Sequence, residues 1–159
     1  MNIVTLISVG TLKEDYLKDA CAEYKKRLSQ FARVEEINIK EEAIKNESDK
    51  SEIAHALEIE GEKIIASIPE GALTIALCVE GKEYDSVSLA GEISRALDES
   101  GKIAFIIGSS HGLSESVKKR ARVRLSISRL TFPHQLMRAI LSEVIYRSFT
   151  IIHGKRYHK

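Results

Sequence analysis

The chain has 159 residues, 43% of them hydrophobic and 30% charged, with a formal net charge of +1. This length suits one globular domain, residues 1–159, with its own core and no need of a metal or disulfide staple. Only two prolines (Pro69 and Pro133) and evenly spread apolar residues exclude a disordered or collagen-like chain.

The elements alternate along the chain. Ile3–Val9 is a short apolar run that reads as a buried strand; it is too short to span a bilayer and lacks a basic leader. A helix follows on Tyr16, Leu17, Ala20, Cys21, Tyr24, Leu28 and Phe31, with lysines and acids on its other face. Val34–Ile39 has the partly alternating polarity of an edge strand. Lys40–Lys50 is polar and reads as a loop. A second helix spans about Ser51–Ser67 on the stripe Ile53, Leu57, Gly61 and Ile64, and Pro69-Glu70-Gly71 makes the turn after it. Leu73–Val79 is a buried strand. Leu89, Ala90, Ile93, Ala96 and Leu97 mark a third helix stopped by Gly101, and Ile103–Ile107 is the most apolar strand. After Gly108-Ser109-Ser110-His111-Gly112 comes a short helix capped by Ser114. Val123–Ser126 is the last strand. Pro133 suits the first turn of a final helix, because its missing N–H has no intrahelical acceptor there. That helix runs to about Thr150 on Leu136, Met137, Ile140, Leu141, Val144, Ile145 and Phe149, and a polar tail follows from His153. The order implies an α/β fold with a mainly parallel sheet and helices on both faces.

The average charge hides an asymmetry. Residues 118–159 carry eleven Lys and Arg against the single acid Glu143, a charge of +10 that leaves −9 for residues 1–117. A basic final quarter suggests an anionic partner, nucleic acid first; the plainer alternative is an acidic part pairing with a basic part. Cys21 and Cys78 stand apart in apolar patterns, form no CxxC, and fit a reducing, cytoplasmic setting. No HxxxH or HxxE spacing points to a metal.

Ligands of open α/β sheets bind beyond the carboxyl ends of the strands, which directs attention to the Gly108–Gly112 turn and the segment after Ser126. The turn is neither GxGxxG nor GxxxxGK[ST] and has no lysine for a triphosphate. It is also not the GxSxG elbow of a hydrolase. A nucleotide cofactor without phosphates suits it better than ATP or NAD; a bland strand-to-helix turn is the rival reading. His55 reads as a surface residue. His134 is either a structural histidine at a helix start or part of a site. Tyr157-His158-Lys159 reads either as a frayed end or as an aromatic, an imidazole and a cation able to stack on a base and bind phosphate.

The segment Leu125–Arg138, containing Phe132-Pro133-His134, together with the ending Tyr157-His158-Lys159, resembles the RlmH family of SPOUT-class ribosomal RNA large-subunit methyltransferases. The resemblance extends over essentially the whole chain, through Val9-Gly10, Lys13 to Tyr24, Phe105–Gly108 and Tyr146-Arg147. It implies a SPOUT-type fold with a C-terminal trefoil knot and a homodimer. The implied reaction transfers a methyl group from S-adenosylmethionine to N3 of a pseudouridine in 23S rRNA on the assembled ribosome. It places cofactor contacts on Leu77, Gly108, Ile127, Ser128, Arg129, Leu130, Thr131 and Phe132. Tyr157 and His158 match the family's substrate pocket, which the other subunit completes. Ser109, His111, Val144 and Arg156 depart from the usual family pattern.

Transfer by direct displacement needs N3, methyl carbon and sulfur nearly in line, with N3 about 3–3.5 Å from the methyl. N3 carries a proton at neutral pH, so a base helps. Histidine is the side chain that ordinarily titrates near neutrality, which makes His158 and His134 the candidates and gives Tyr157 a packing role. The alternative from another class is a non-catalytic ribosome- or RNA-binding module, which needs the basic segment but no cofactor slot.

Overall fold

A computed structural model describes residues 1–159. Five strands, β1 (Asn2–Val9), β2 (Ala32–Ile39), β3 (Leu73–Glu83), β4 (Lys102–Ile107) and β5 (Val123–Ser126), alternate with α1 (Asp15–Leu28), α2 (Lys50–Ser67), α3 (Ser86–Ser100), α4 (Glu115–Arg120) and α5 (His134–Ile152). The sheet order is β2-β1-β4-β3-β5 and all four pairings are parallel. β2 is an edge strand, as its mixed polarity predicts.

The pleat of β4 explains why its sequence is continuously apolar. Ile103, Phe105 and Ile107 face a core shared with Leu28 of α1, Ile93 of α3 and Leu141, Ile145 and Phe149 of α5. Ala104 and Ile106 face the opposite core with Ile64 of α2 and Val117 of α4. Successive strand residues point to opposite faces, so a strand covered on both faces must be apolar at every position. Local signals set the helix ends. Asp49 accepts the amides of Ser51 and Glu52 at the start of α2, and Ser114 accepts that of Val117 at the start of α4. Gly101 ends α3 at φ +69°, a conformation open to glycine.

Three expectations shift. Tyr16 is 68% exposed and Leu17 is buried, because adjacent helical positions lie about 100° apart and only one can face the sheet. In α2 the buried positions are Ala56, Glu60, Gly61 and Ile64, with Ile53 and Leu57 only partly covered. The helix is turned so that Gly61 meets α4. Finally, the third strand does not stop at Val79. It pairs Leu77 with Leu125, bows out over residues 78–81, and returns to pair Lys82 with the same Leu125 and Glu83 with Ser126. Gly81 permits this: a Cβ there would stand 2.7 Å from the Arg124 carbonyl oxygen.

Candidate active site

Parallel strands bring their carboxyl ends to one edge, and there the ends of β3, β4 and β5 surround a cavity of about 670 Å³. That is the size of a small-molecule pocket. The wall from β3 is Leu77 and the bowed residues Cys78, Val79 and Glu80. The floor is Ile107 and the turn Gly108–Gly112. The far wall is the segment after β5, with Ile127, Ser128, Leu130, Thr131 and Phe132, closed by Pro133, His134 and Met137 at the start of α5.

Each wall has a local cause. The turn folds on itself through Gly112 N–H donating to the Ser109 carbonyl at 2.9 Å and His111 N–H donating to Ser109 Oγ at 3.3 Å. Gly108 is required because a Cβ would lie 2.6 Å from the Gly112 carbonyl carbon. The segment 127–132 makes no backbone–backbone hydrogen bond. It is shaped instead by Leu130 N–H donating to Ser128 Oγ (3.0 Å) and Ser126 Oγ–H donating to the Ser128 carbonyl (3.1 Å). Unpaired peptide groups beside a half-apolar cavity offer a ligand both donors and acceptors.

The one lysine in the lining, Lys118, is engaged: its Nζ lies 2.5 Å from Glu80 and 3.5 Å from Glu115. The hydrogen bond to Glu80 raises the Lys118 pKa and lowers that of the Glu80 carboxyl. Burial pushes up the Cys78 thiol, and the nearby Glu80 adds to the shift. The cavity therefore presents a neutralised ion pair and not a cationic phosphate cradle. No group of three His, Cys, Asp or Glu side chains is arranged to hold a metal ion.

Of the expected cofactor residues, Leu77, Gly108, Ile127, Ser128, Leu130, Thr131 and Phe132 meet in this cavity. Arg129 does not line it; the side chain is 90% exposed and pairs with Glu83 at 3.5 Å, since it points out of a loop whose neighbours point in. His134 lines the cavity and also a polar trough of about 430 Å³ at the ends of β1 and β2, with Gly10, Lys13, Lys40 and Gln135. Tyr157 and His158 lie elsewhere, against the chain's own α5. The Tyr157 hydroxyl donates to Glu143 Oε2 at 3.0 Å, its ring packs on Tyr146 and under Arg147, and His158 Nδ1 is 3.4 Å from Arg147. Desolvation first, then the bond to Glu143, raises the Tyr157 pKa. Sequence reasoning missed the Glu80–Lys118 pair and Cys78 as lining residues, because nothing local to either segment announces the bow in β3.

The basic segment is partly neutralised. Lys118, Arg122, Arg129 and Arg147 pair with Glu80, Glu99, Glu83 and Glu143. Both earlier readings of the charge asymmetry hold in part: acids before residue 118 meet some of these cations. Lys119, Arg120, Arg124, Lys155, Arg156 and Lys159 have no carboxylate partner within 4.0 Å.

A parallel α/β sheet whose late strand is embraced by an earlier one, with a cofactor-sized cavity at that crossing, is the arrangement of a SPOUT methyltransferase. The family model described as predicted SPOUT methyltransferase matches residues 1–158. A crystal structure of a probable methyltransferase from Bordetella pertussis superposes with a TM-score of 0.54 over 93% of this chain and 94% of that one; at 13% identity it bears on the fold alone. Among curated proteins, the ribosomal RNA large subunit methyltransferase H of Caldicellulosiruptor bescii is 48% identical over 157 residues, 99% of this chain and all of that one. The enzyme of the same name from Streptococcus pneumoniae is 46% identical over 161 residues, 98% of this chain and 99% of that one. The chain belongs to this methyltransferase H family.

Proposed function

We propose that the chain transfers the methyl group of S-adenosylmethionine to N3 of a pseudouridine in 23S rRNA, on the assembled ribosome, as a cytoplasmic homodimer with a trefoil knot in its C-terminal half. The observation that carries the reading is the cavity built by the Gly108–Gly112 turn and the unpaired 127–132 segment. Its donor set fits the cofactor: apolar side chains for adenine, free peptide groups for its edge, and no cationic cradle that a phosphate would demand. Leu77, Gly108, Ile127, Ser128, Leu130, Thr131 and Phe132 would hold it, and Arg129 would guard the outer rim. When bound, the cofactor supplies an electrophilic methyl on a sulfonium.

The chain's own residues then have three tasks. The turn and the 127–132 segment orient the donor. His134, between the cavity and the polar trough, is placed to meet a base entering from the trough side. Tyr157 and His158 are engaged on their own α5, so their part in orienting or deprotonating the pseudouridine is assigned to the terminus of a second copy. Partly uncovered Leu136, Met137, Ile140 and Val144 on α5 support a second copy packing there. The bow of β3 about Leu125 supports the knot.

Labelled S-adenosylmethionine, pure protein and ribosomes lacking the modification test the proposal together. Label is expected in 23S rRNA at pseudouridine N3, with wild-type rates lost in His158→Ala. Ribosome binding without cofactor binding by calorimetry would replace the proposal with a non-catalytic module.

A further inference from the structure

Helix α2 meets the cavity floor from behind at two consecutive residues. Gly61 packs so closely on α4 that an added Cβ would overlap Ser114 Oγ and lie 3.2 Å from Val117 Cγ2. That approach carries its neighbour Glu60 into the interior, where it is 3% exposed. The two carboxyl oxygens differ. Oε2 accepts the Glu42 amide, from the loop after β2, at 2.9 Å. Oε1 is buried with no partner within hydrogen-bonding distance, although the Ser109 hydroxyl is near enough to favour the ionised carboxyl.

Ser109 is itself buried and is the pivot of the turn: its carbonyl holds Gly112 and its hydroxyl holds His111. A buried carboxyl with an unmatched oxygen is costly, and an apolar side chain of similar size would avoid that cost. The reaction as derived above does not use this group, and it does not line the cavity.

We propose that Glu60 is a positioning residue: it ties the Glu42 loop to the Ser109 pivot and so fixes where the Gly108–Gly112 turn stands against the methyl donor. This rests on the cofactor reading above.

The test compares Glu60→Ala, Glu60→Gln, Ser109→Ala and the Glu60→Ala/Ser109→Ala double variant. It measures S-adenosylmethionine affinity by calorimetry, turnover on ribosomes at saturating donor, and amide exchange at His111 and Gly112 in the free protein. Glu60→Ala is expected to weaken donor binding and speed exchange of those two amides by about tenfold or more, with turnover at saturation near wild type. Glu60→Gln keeps an acceptor for Glu42 N–H and stays within about threefold of wild type on each measure, and the double variant is no worse than Glu60→Ala. Wild-type affinity and exchange in Glu60→Ala, equal damage from Gln and Ala, or additive effects would each overturn the role. If Glu60→Ala does not fold, Ser109→Ala decides: unchanged exchange at His111 refutes the pivot. If wild type binds no donor while Glu60→Ala still loosens the turn, the cofactor reading fails and the positioning role stands.

Discussion

Gly108→Ala puts one methyl group where the cavity floor has no room. The added carbon would stand 2.6 Å from the Gly112 carbonyl carbon and 2.9 Å from Leu113 Cδ2. Leu113 Cδ2 ends a flexible side chain and can turn aside, but the Gly112 peptide is backbone, held to Ser109 by a 2.9 Å hydrogen bond. The turn must therefore open. Overpacking of this kind costs about 1–3 kcal/mol, which for a domain of this size lowers the melting temperature by about 2–12 °C. Opening the turn also displaces the peptide groups that face the cavity, so donor affinity should fall by about tenfold or more, equivalent to about 1.4 kcal/mol. Gly91→Ala is the control: in α3 an added Cβ meets nothing within 4 Å, and replacing a helical glycine should stabilise by about 0.4–1 kcal/mol with donor binding unchanged. Thermal melting and calorimetry on both variants settle the matter. A Gly108→Ala protein that melts and binds like wild type would mean that this close approach does not shape the floor.

Phe149→Ala removes a fully buried ring from the core between α5 and the sheet, and chemical denaturation should register a loss of about 3–5 kcal/mol. Burial, with Glu41 and Glu42 nearby, raises the Glu60 pKa above its ordinary 4.5, while Glu42 is itself paired with Lys63. The folded chain thus binds more protons than the unfolded one between those two values, and this contribution to stability is present below 4.5 and lost as pH rises through the folded value. Glu60→Gln should gain on wild type progressively across that window in denaturation curves; a pH-independent difference would contradict it. Ribosome binding should weaken steeply with salt, and replacing Lys155, Arg156 and Lys159 together should lower the slope of log affinity against log salt by about 2–3; an unchanged slope would free those cations from any phosphate role.

What could be read beforehand is what local physics decides. The continuous apolar run of β4, the Gly101 stop, the Ser114 cap and Pro133 at the head of α5 all follow from burial on two faces, backbone freedom and unpaired N–H groups, and the structure keeps each. The spacing of the α5 stripe foretold Leu141, Ile145 and Phe149 in the core. Tertiary packing decides the rest. Glu60 sits in a helix among exposed acids and has no sequence mark of burial; Gly61 beside Ser114 is what draws it inward. The pairing of Lys118 with Glu80 depends on a strand irregularity whose only local trace is Gly81. The tail residues Tyr157 and His158 are recognisable as chemistry, but their resting place on Glu143 and Arg147 is set by α5 and not by their neighbours in sequence.

The bow in β3 links fold to site. A regular β3 would continue its ladder with β5 past Leu77, and Cys78 to Glu80 would be ordinary edge residues over a closed sheet. Instead two separate parts of β3 meet one residue, Leu125, and the four residues between them stand off as a cavity wall. Holding that wall out requires backbone contact without a side chain, which Gly81 provides against Arg124 and Leu125. It also requires an anchor for the outer loop, which the 2.5 Å Glu80–Lys118 pair supplies from α4. The same α4 is clamped from the other side by Gly61 of α2. Wall, floor and the buried carboxyl behind them are thus parts of one packed unit, and the cavity is a consequence of the sheet's one large irregularity rather than a hollow left between regular elements.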